Sequence, residues 1–201
     1  MHSVLSRNQF LIKEHTGILK AANNYDIFDL ATGELLMECR EDKLGLFTKI
    51  LRFTDYKRNT PFDIQVRLPD GTPGAQRTQV VRVTRGISLF LSKVEVRDDS
   101  DRIVGGFKQK LFSIGGAFKV VDPGDQVLFS LEGSWTGWDF RFKAGERELA
   151  HVTKKWAGIG KELFTSADNY VLEINEHVST TDTARELILA AVLCIDMVLK
   201  E

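Results

Sequence analysis

Cysteine is nearly missing from this sequence. Cys39 and Cys194 are the two copies, they lie far apart, and neither stands in a metal or redox spacing, so a thiol-based centre is excluded. An excess of one charge is missing as well. The 27 Lys and Arg against 28 Asp and Glu leave a net charge of −1 and a pI near 6.4. That removes the bulk positive field on which nucleic-acid binding relies. Histidines His2, His15, His151 and His177 show no pairwise ligand spacing, so no histidine metal site is expected. No Gly-x-Ser-x-Gly elbow occurs and neither cysteine has a local base, which leaves a hydrolase without a nucleophile. Gly158-Ile-Gly-Lys161 resembles a phosphate loop only in part. Lys155 stands where the first glycine belongs, and Glu162 where a hydroxyl would meet magnesium, so it reads as a turn. Asp98-Asp-Ser-Asp101 lacks the glycine and distal glutamate of a calcium loop and reads as a hairpin turn. No enzyme activity and no cofactor are expected. The N-terminal residues lack a signal peptide's apolar run, so a cytoplasmic location is the expectation.

What is present is a β-rich pattern and one unusual helix. Hydrophobic residues make up 43% of the chain, with 13 Phe and only 4 Pro, which suits strands packed on a core. Short alternating segments punctuated by turns fall at 10–13, 25–30, 34–39, 62–68, 80–84, 89–96, 103–110, 117–121, 127–131, 138–143, 148–154, 163–165 and 170–174. This density of strand and turn signals predicts an antiparallel sandwich or barrel. Between them, residues 43–53 carry apolar positions at helical spacing and predict a short helix.

The closing stretch, 183–200, is built from good helix formers. Thr183 and Glu186 have capping-box spacing, and from Leu187 to Leu199 only Asp196 is charged. A helix with no polar face must be enclosed on every side. Thirteen residues at about 1.5 Å each reach roughly 20 Å, short of a hydrocarbon core of about 30 Å. Protein is therefore the expected sheath. A dozen short strands must curl or close, and a barrel of that size has a lumen its own side chains cannot fill. The two features answer each other. The prediction is a single domain, 1–201, mainly β: a closed antiparallel barrel of about twelve strands around a central hydrophobic C-terminal helix. Leu187, Leu189, Ala190, Leu193, Ile195, Asp196 and Val198 form that core helix. Asp196, its lone charge, is either a structural hydrogen-bonding group near the barrel mouth or a functional one.

An internal echo divides the chain into pseudo-halves at about 8–86 and 87–175, six strands each. Val66-Arg-Leu-Pro-Asp-Gly71 with Val81-Arg-Val-Thr-Arg-Gly86 resembles Phe140-Arg-Phe-Lys-Ala-Gly145 with Leu149-Ala-His-Val-Thr-Lys154, and Asp26-Ile-Phe-Asp29 resembles Lys119-Val-Val-Asp122.

Four segments carry a family resemblance: Phe107-Lys-Gln-Lys-Leu-Phe-Ser-Ile-Gly-Gly116, Trp135-Thr-Gly-Trp-Asp-Phe140, Val152-Thr-Lys-Lys-Trp-Ala-Gly158 and Lys161-Glu-Leu-Phe-Thr-Ser-Ala-Asp-Asn-Tyr170. With the final helix they resemble the phospholipid-scramblase and LURP-one-related superfamily. The resemblance implies a tubby-like fold, a twelve-stranded barrel around a hydrophobic helix, and a relation to phospholipid or phosphoinositide binding. Departures limit what it carries over. The segment after Tyr170 places its carboxylates at Glu173, Glu176 and Asp182, too sparse for a calcium loop. No cysteine-rich palmitoylation cluster is present.

The functional lead that combines residues and resemblance is a basic set. Residues two apart on a strand share a face, so Lys108 with Lys110, and Arg141 with Lys143, project together, while Lys154, Lys155 and Lys161 surround the following turn. Such a patch suits anionic phospholipid head groups; the competing reading is a solvated face balanced by neighbouring acids. Trp135, Trp138, Phe140, Phe142 and Trp156 either stack on a ligand or fill the barrel and its rim. The expectation is a non-enzymatic monomer, cytoplasmic or peripheral to the membrane, with no nucleic-acid partner. The alternatives are a soluble structural or protein-interaction domain, and a membrane-inserted scramblase.

Overall fold

The computed structural model describes residues 1–15, 24–41, 61–69, 78–86, 94–108, 118–134, 138–154 and 169–199. A 3-10 turn, Ser3–Ser6, leads into twelve strands: β1 Gln9–Glu14, β2 Tyr25–Asp29, β3 Leu35–Arg40, β4 Phe62–Arg67, β5 Gln79–Arg85, β6 Val94–Arg97, β7 Ile103–Lys108, β8 Phe118–Val121, β9 Val127–Ser134, β10 Asp139–Ala144, β11 Arg147–Thr153 and β12 Asn169–Ile174. The helix α1, Ala184–Leu199, follows. The expected short helix at 43–53 and the strand at 163–165 lie outside the described residues.

Each strand pairs antiparallel with its neighbours in sequence, and β1 pairs with β12 to close the barrel. Gln9 lies opposite Glu173 and Ile12 opposite Tyr170 at that seam. The alternation that predicted strands also decides what points inward. In β4, Phe62, Ile64 and Val66 are buried while Asp63, Gln65 and Arg67 are half-exposed. Register shifts fall in β2, β4, β6, β8 and β10, each close before its hairpin turn. These turns share one rim, because alternate hairpins of a meander end on the same side. Bulges there add local twist and help the sheet curl into closure.

One contiguous core draws residues from all twelve strands and from α1. Leu187 through Ile195 are nine successive helix residues, each at most 4% exposed. At 3.6 residues per turn they cover every direction around the axis, so the helix runs inside the barrel. Gly105 marks a close approach to it. A Cβ there would sit 2.9 Å from Leu187 Cδ2 and 2.4 Å from the Val121 carbonyl oxygen. Asp196 and Val198 lie on the helix backbone; their side chains are outside the described residues.

The helix start differs from the expected capping box. Asp182 supplies the side-chain cap, its Oδ1 accepting from the Ala184 N–H at 2.8 Å. Thr183 contributes its carbonyl oxygen to the Glu186 and Leu187 N–H groups. Glu186 is drawn into the barrel mouth instead, 1% exposed. The echoed segments fall on β2 and β8, and on the β4–β5 and β10–β11 hairpins, six strands apart in each case.

Candidate functional site

The outer face of β7 to β10 carries a row of cations that the register assembles. Lys108 lies opposite Lys119, Lys119 opposite Ser130, and Ser130 opposite Lys143. Their strand neighbours Phe107, Val120, Leu131 and Phe142 are buried in the core, which places the row on the outside. Lys119 is exposed. Lys108 is located by its backbone alone. Lys143 Nζ lies 3.2 Å from Glu132 Oε2, and Ser130 Oγ hydrogen-bonds Glu132 Oε1 at 3.3 Å.

Lys119 differs from the ion-paired cations of other strands. Arg40 meets Asp26 at 2.7 Å, Arg82 meets Asp63 at 2.7 Å and Arg141 meets Glu148 at 2.8 Å. Lys119 has no carboxylate partner among the described residues, and the residue across the ladder from it is another lysine. Like charges directly opposite on paired strands destabilise the sheet, by about 0.2–1 kcal/mol. The facing lysines break a local rule of strand pairing.

The remaining expected site residues divide into groups. Arg141 shares the outer face of β10 with Lys143. Its hydrogen bond to Glu148, then that carboxylate's charge, raises its pKa above the ordinary guanidinium value. Asp139 stands 3.7 Å from Arg141 Nε and 3.0 Å from His151 Nε2. Lys154 is set apart at the opposite rim from the bulged hairpins, its Nζ 4.0 Å from the Trp138 ring centroid and 5.0 Å from that of Tyr170. Lys110, Lys155 and Lys161 lie outside the described residues, as do Trp135 and Trp156. Phe140 and Phe142 are fully buried barrel filling. Sequence reasoning passed over Lys119. The alternation of β8 marks it as outward-facing, but only the register puts it between Lys108 and Lys143.

A polar cleft of about 600 Å³ opens at the seam, between Arg7, Asp29, Glu148, His151, Glu173 and Glu176. Its charges are largely satisfied within the protein: Arg7 Nε bonds Asp29 Oδ2 at 2.9 Å and Gln9 Nε2 donates to Glu173 Oε1 at 2.8 Å. No group of three or more His, Cys, Asp or Glu among the described residues is arranged to hold a metal ion. The Asp98 turn is closed on itself, Asp98 accepting from the Ser100 and Arg102 N–H groups and from the Arg102 side chain. Both thiols are buried, and burial pushes Cys194 up to about 12 and raises Cys39 further. Neither is a nucleophile at neutral pH.

Comparison with known proteins adds three findings. A family model described as Scramblase matches residues 5–201. No curated protein matches the chain. An X-ray structure of a protein from Arabidopsis thaliana superposes with a TM-score of 0.51 at 17% identity, covering 94% of this chain and 90% of that one; at that identity the likeness concerns the fold.

Proposed function

The chain belongs to the scramblase family, and from that premise we propose that it is a non-enzymatic phospholipid-binding protein. It meets anionic head groups, phosphoinositides included, with the outside of its barrel. The carrying observation is the row Lys108, Lys119, Ser130, Lys143, where Lys119 faces another lysine across the ladder and has no carboxylate partner among the described residues. A phosphate seated between the facing lysines relieves their repulsion and accepts their N–H groups. Each lysine near an anionic surface contributes about 1 kcal/mol. Arg141 and Lys143 join by exchanging Glu148 and Glu132 for lipid phosphate. With a net charge of −1, attraction is local rather than long-range, and it fades within a Debye length of roughly 10 Å.

The alternative of a membrane-inserted scramblase requires α1 to leave the barrel, exposing nine buried residues. No described helix is long and apolar enough to cross a membrane. A soluble protein-interaction domain is favoured instead by the ion pairs that already neutralise Arg141 and Lys143.

Vesicle co-sedimentation separates these readings. Binding is expected to vesicles containing phosphatidylserine or a phosphoinositide at low salt, to weaken at high salt, and to drop roughly tenfold or more in K119E/K143E, from the loss of about 1 kcal/mol per lysine. No sedimentation at low salt, or equal binding of the double variant, refutes the proposal.

A further inference from the structure

Among the described non-glycine residues with positive φ, Asp101 and Asp125 sit in hairpin turns, where aspartate tolerates that conformation. Trp138, at φ +48°, is the outlier. A bulky L-residue holds this geometry only when its surroundings over-determine it, and such residues concentrate at ligand sites. The surroundings here are specific. The Trp138 carbonyl oxygen accepts from the Lys154 N–H at 3.3 Å. Its ring packs edge-on to Phe140 at 5.9 Å and tilted by 32° against Tyr170 at 4.8 Å. The two tilted rings form a notch, and the Lys154 ammonium lies in it, 4.0 Å and 5.0 Å from their centroids. Trp138 and Lys154 are half-buried and Tyr170 is buried. One ring of the notch is therefore buried and the other half-exposed.

We propose that the Trp138–Tyr170 notch binds the quaternary ammonium of a phosphocholine head group, and that Lys154 occupies it when no lipid is bound. The choice of a lipid head group rests on the phospholipid-binding reading above. The selectivity follows from hydration. An aromatic face attracts any cation, but a primary ammonium must shed strongly held water to reach it. A trimethylammonium sheds little and fills the notch with methyl contacts. Lys154 competes as a tethered cation, with an effective concentration of order millimolar. Head groups packed on a bilayer exceed that, whereas dilute free cations do not. Lys154 is then a gate that yields at a membrane surface. Asp139, the neighbouring carboxylate, is committed to His151 and Arg141.

The test uses the full chain and soluble probes, so that it reads the notch apart from the lysine row. Tryptophan fluorescence and NMR titrations would follow phosphocholine, with phosphoethanolamine as control. K154A should bind phosphocholine roughly five- to tenfold more tightly than the unmodified protein, the range expected for removing a cation–π competitor. W138L, which keeps apolar bulk and removes the indole face, should lose the response. Phosphoethanolamine should bind weakly throughout. Equal phosphocholine affinity in K154A and the unmodified protein, or an undiminished response in W138L, overturns the proposal. So does an equal response to phosphoethanolamine. Were K154A unfolded, K154M would keep the stem packing and remove the ammonium. Vesicle binding unchanged in K119E/K143E, with the phosphocholine response as expected, would sink the lysine-row reading alone.

Discussion

Replacing Arg185 with methionine should destabilise the barrel by about 3–5 kcal/mol, the range for breaking a fully engaged buried charge. Arg185 is 1% exposed and stands in the first turn of α1. Its Nε donates to the Ser179 carbonyl oxygen at 2.9 Å. One terminal nitrogen donates to the carbonyl oxygens of Leu5 at 3.0 Å and Arg7 at 2.9 Å. The other donates to Asn8 Oδ1 and the Val178 carbonyl oxygen, both at 2.8 Å. All five guanidinium N–H groups are thus used. They tie the residues before β1, the loop after β12 and the start of α1 into one knot at the seam. Burial lowers its pKa, with Asp182 opposing, yet arginine remains charged at any working pH. Methionine fills much of the volume but removes the guanidinium donors from the Leu5, Arg7 and Val178 carbonyls and from Asn8 Oδ1, at about 1–3 kcal/mol for each that is left unpaired and that water cannot reach, while the Ser179 carbonyl keeps the Asp182 N–H at 3.0 Å. Relief of the guanidinium's own desolvation offsets part of that sum. In a chain of this size the net loss lowers the melting temperature by on the order of 10 °C. Urea unfolding followed by tryptophan fluorescence measures it. Arg185→Lys should recover less than half, because an ammonium cannot span five acceptors, and Asn8→Ala should cost about 1 kcal/mol. A methionine variant within about 1 kcal/mol of the parent, or full rescue by lysine, would refute the knot.

Two further outcomes follow from the barrel interior. Ala190 and Ala191 are fully buried, so Ala190→Lys forces an ammonium into the core at several kcal/mol; circular dichroism should show an unfolded or insoluble product, and a soluble folded one would contradict enclosure of the helix. Glu186 is buried, its Oε1 without a hydrogen bond and 3.8 Å from the Met1 ammonium; burial pushes its pKa up to about 7, against the Met1 ammonium and Arg102 and with Asp98 and Asp99. The folded state then holds a proton that the unfolded chain releases near the ordinary value of 4.5, so stability falls as pH rises from about 4.5 to 7 and levels beyond. The ceiling of this loss is about 3 kcal/mol. Glu186→Gln should flatten that decline in melting temperature, and an unchanged slope would show that other groups carry it.

Much of the architecture is legible in residue order because its signals are local. Alternation in Phe62 to Arg67 exposes one side and buries the other whatever the strand pairs with. The apolar run from Leu187 demands enclosure before any enclosing strand is known. The site is less legible. Lys143 and Arg141 share a face by spacing alone, but that Glu132 and Glu148 neutralise them depends on β9 and β11 lying alongside. Arg185 and Glu186 look like ordinary polar residues opening a helix. Capping-box spacing fits Thr183 and Glu186, yet Asp182 makes the cap, because the barrel mouth takes the glutamate inside.

By itself the sequence determined the β-rich class, the helix with no polar face and the need for a closed sheath. Those properties reside in single segments, through side-chain period and the cost of exposing apolar surface. Tertiary structure alone decided the register that sets Lys119 against Lys108, the five-acceptor knot on Arg185 and the placing of Lys154 over Trp138 and Tyr170. Each joins segments distant along the chain. Their relative offset depends on bulges, hairpin geometry and the closure of β1 on β12, which no single segment encodes.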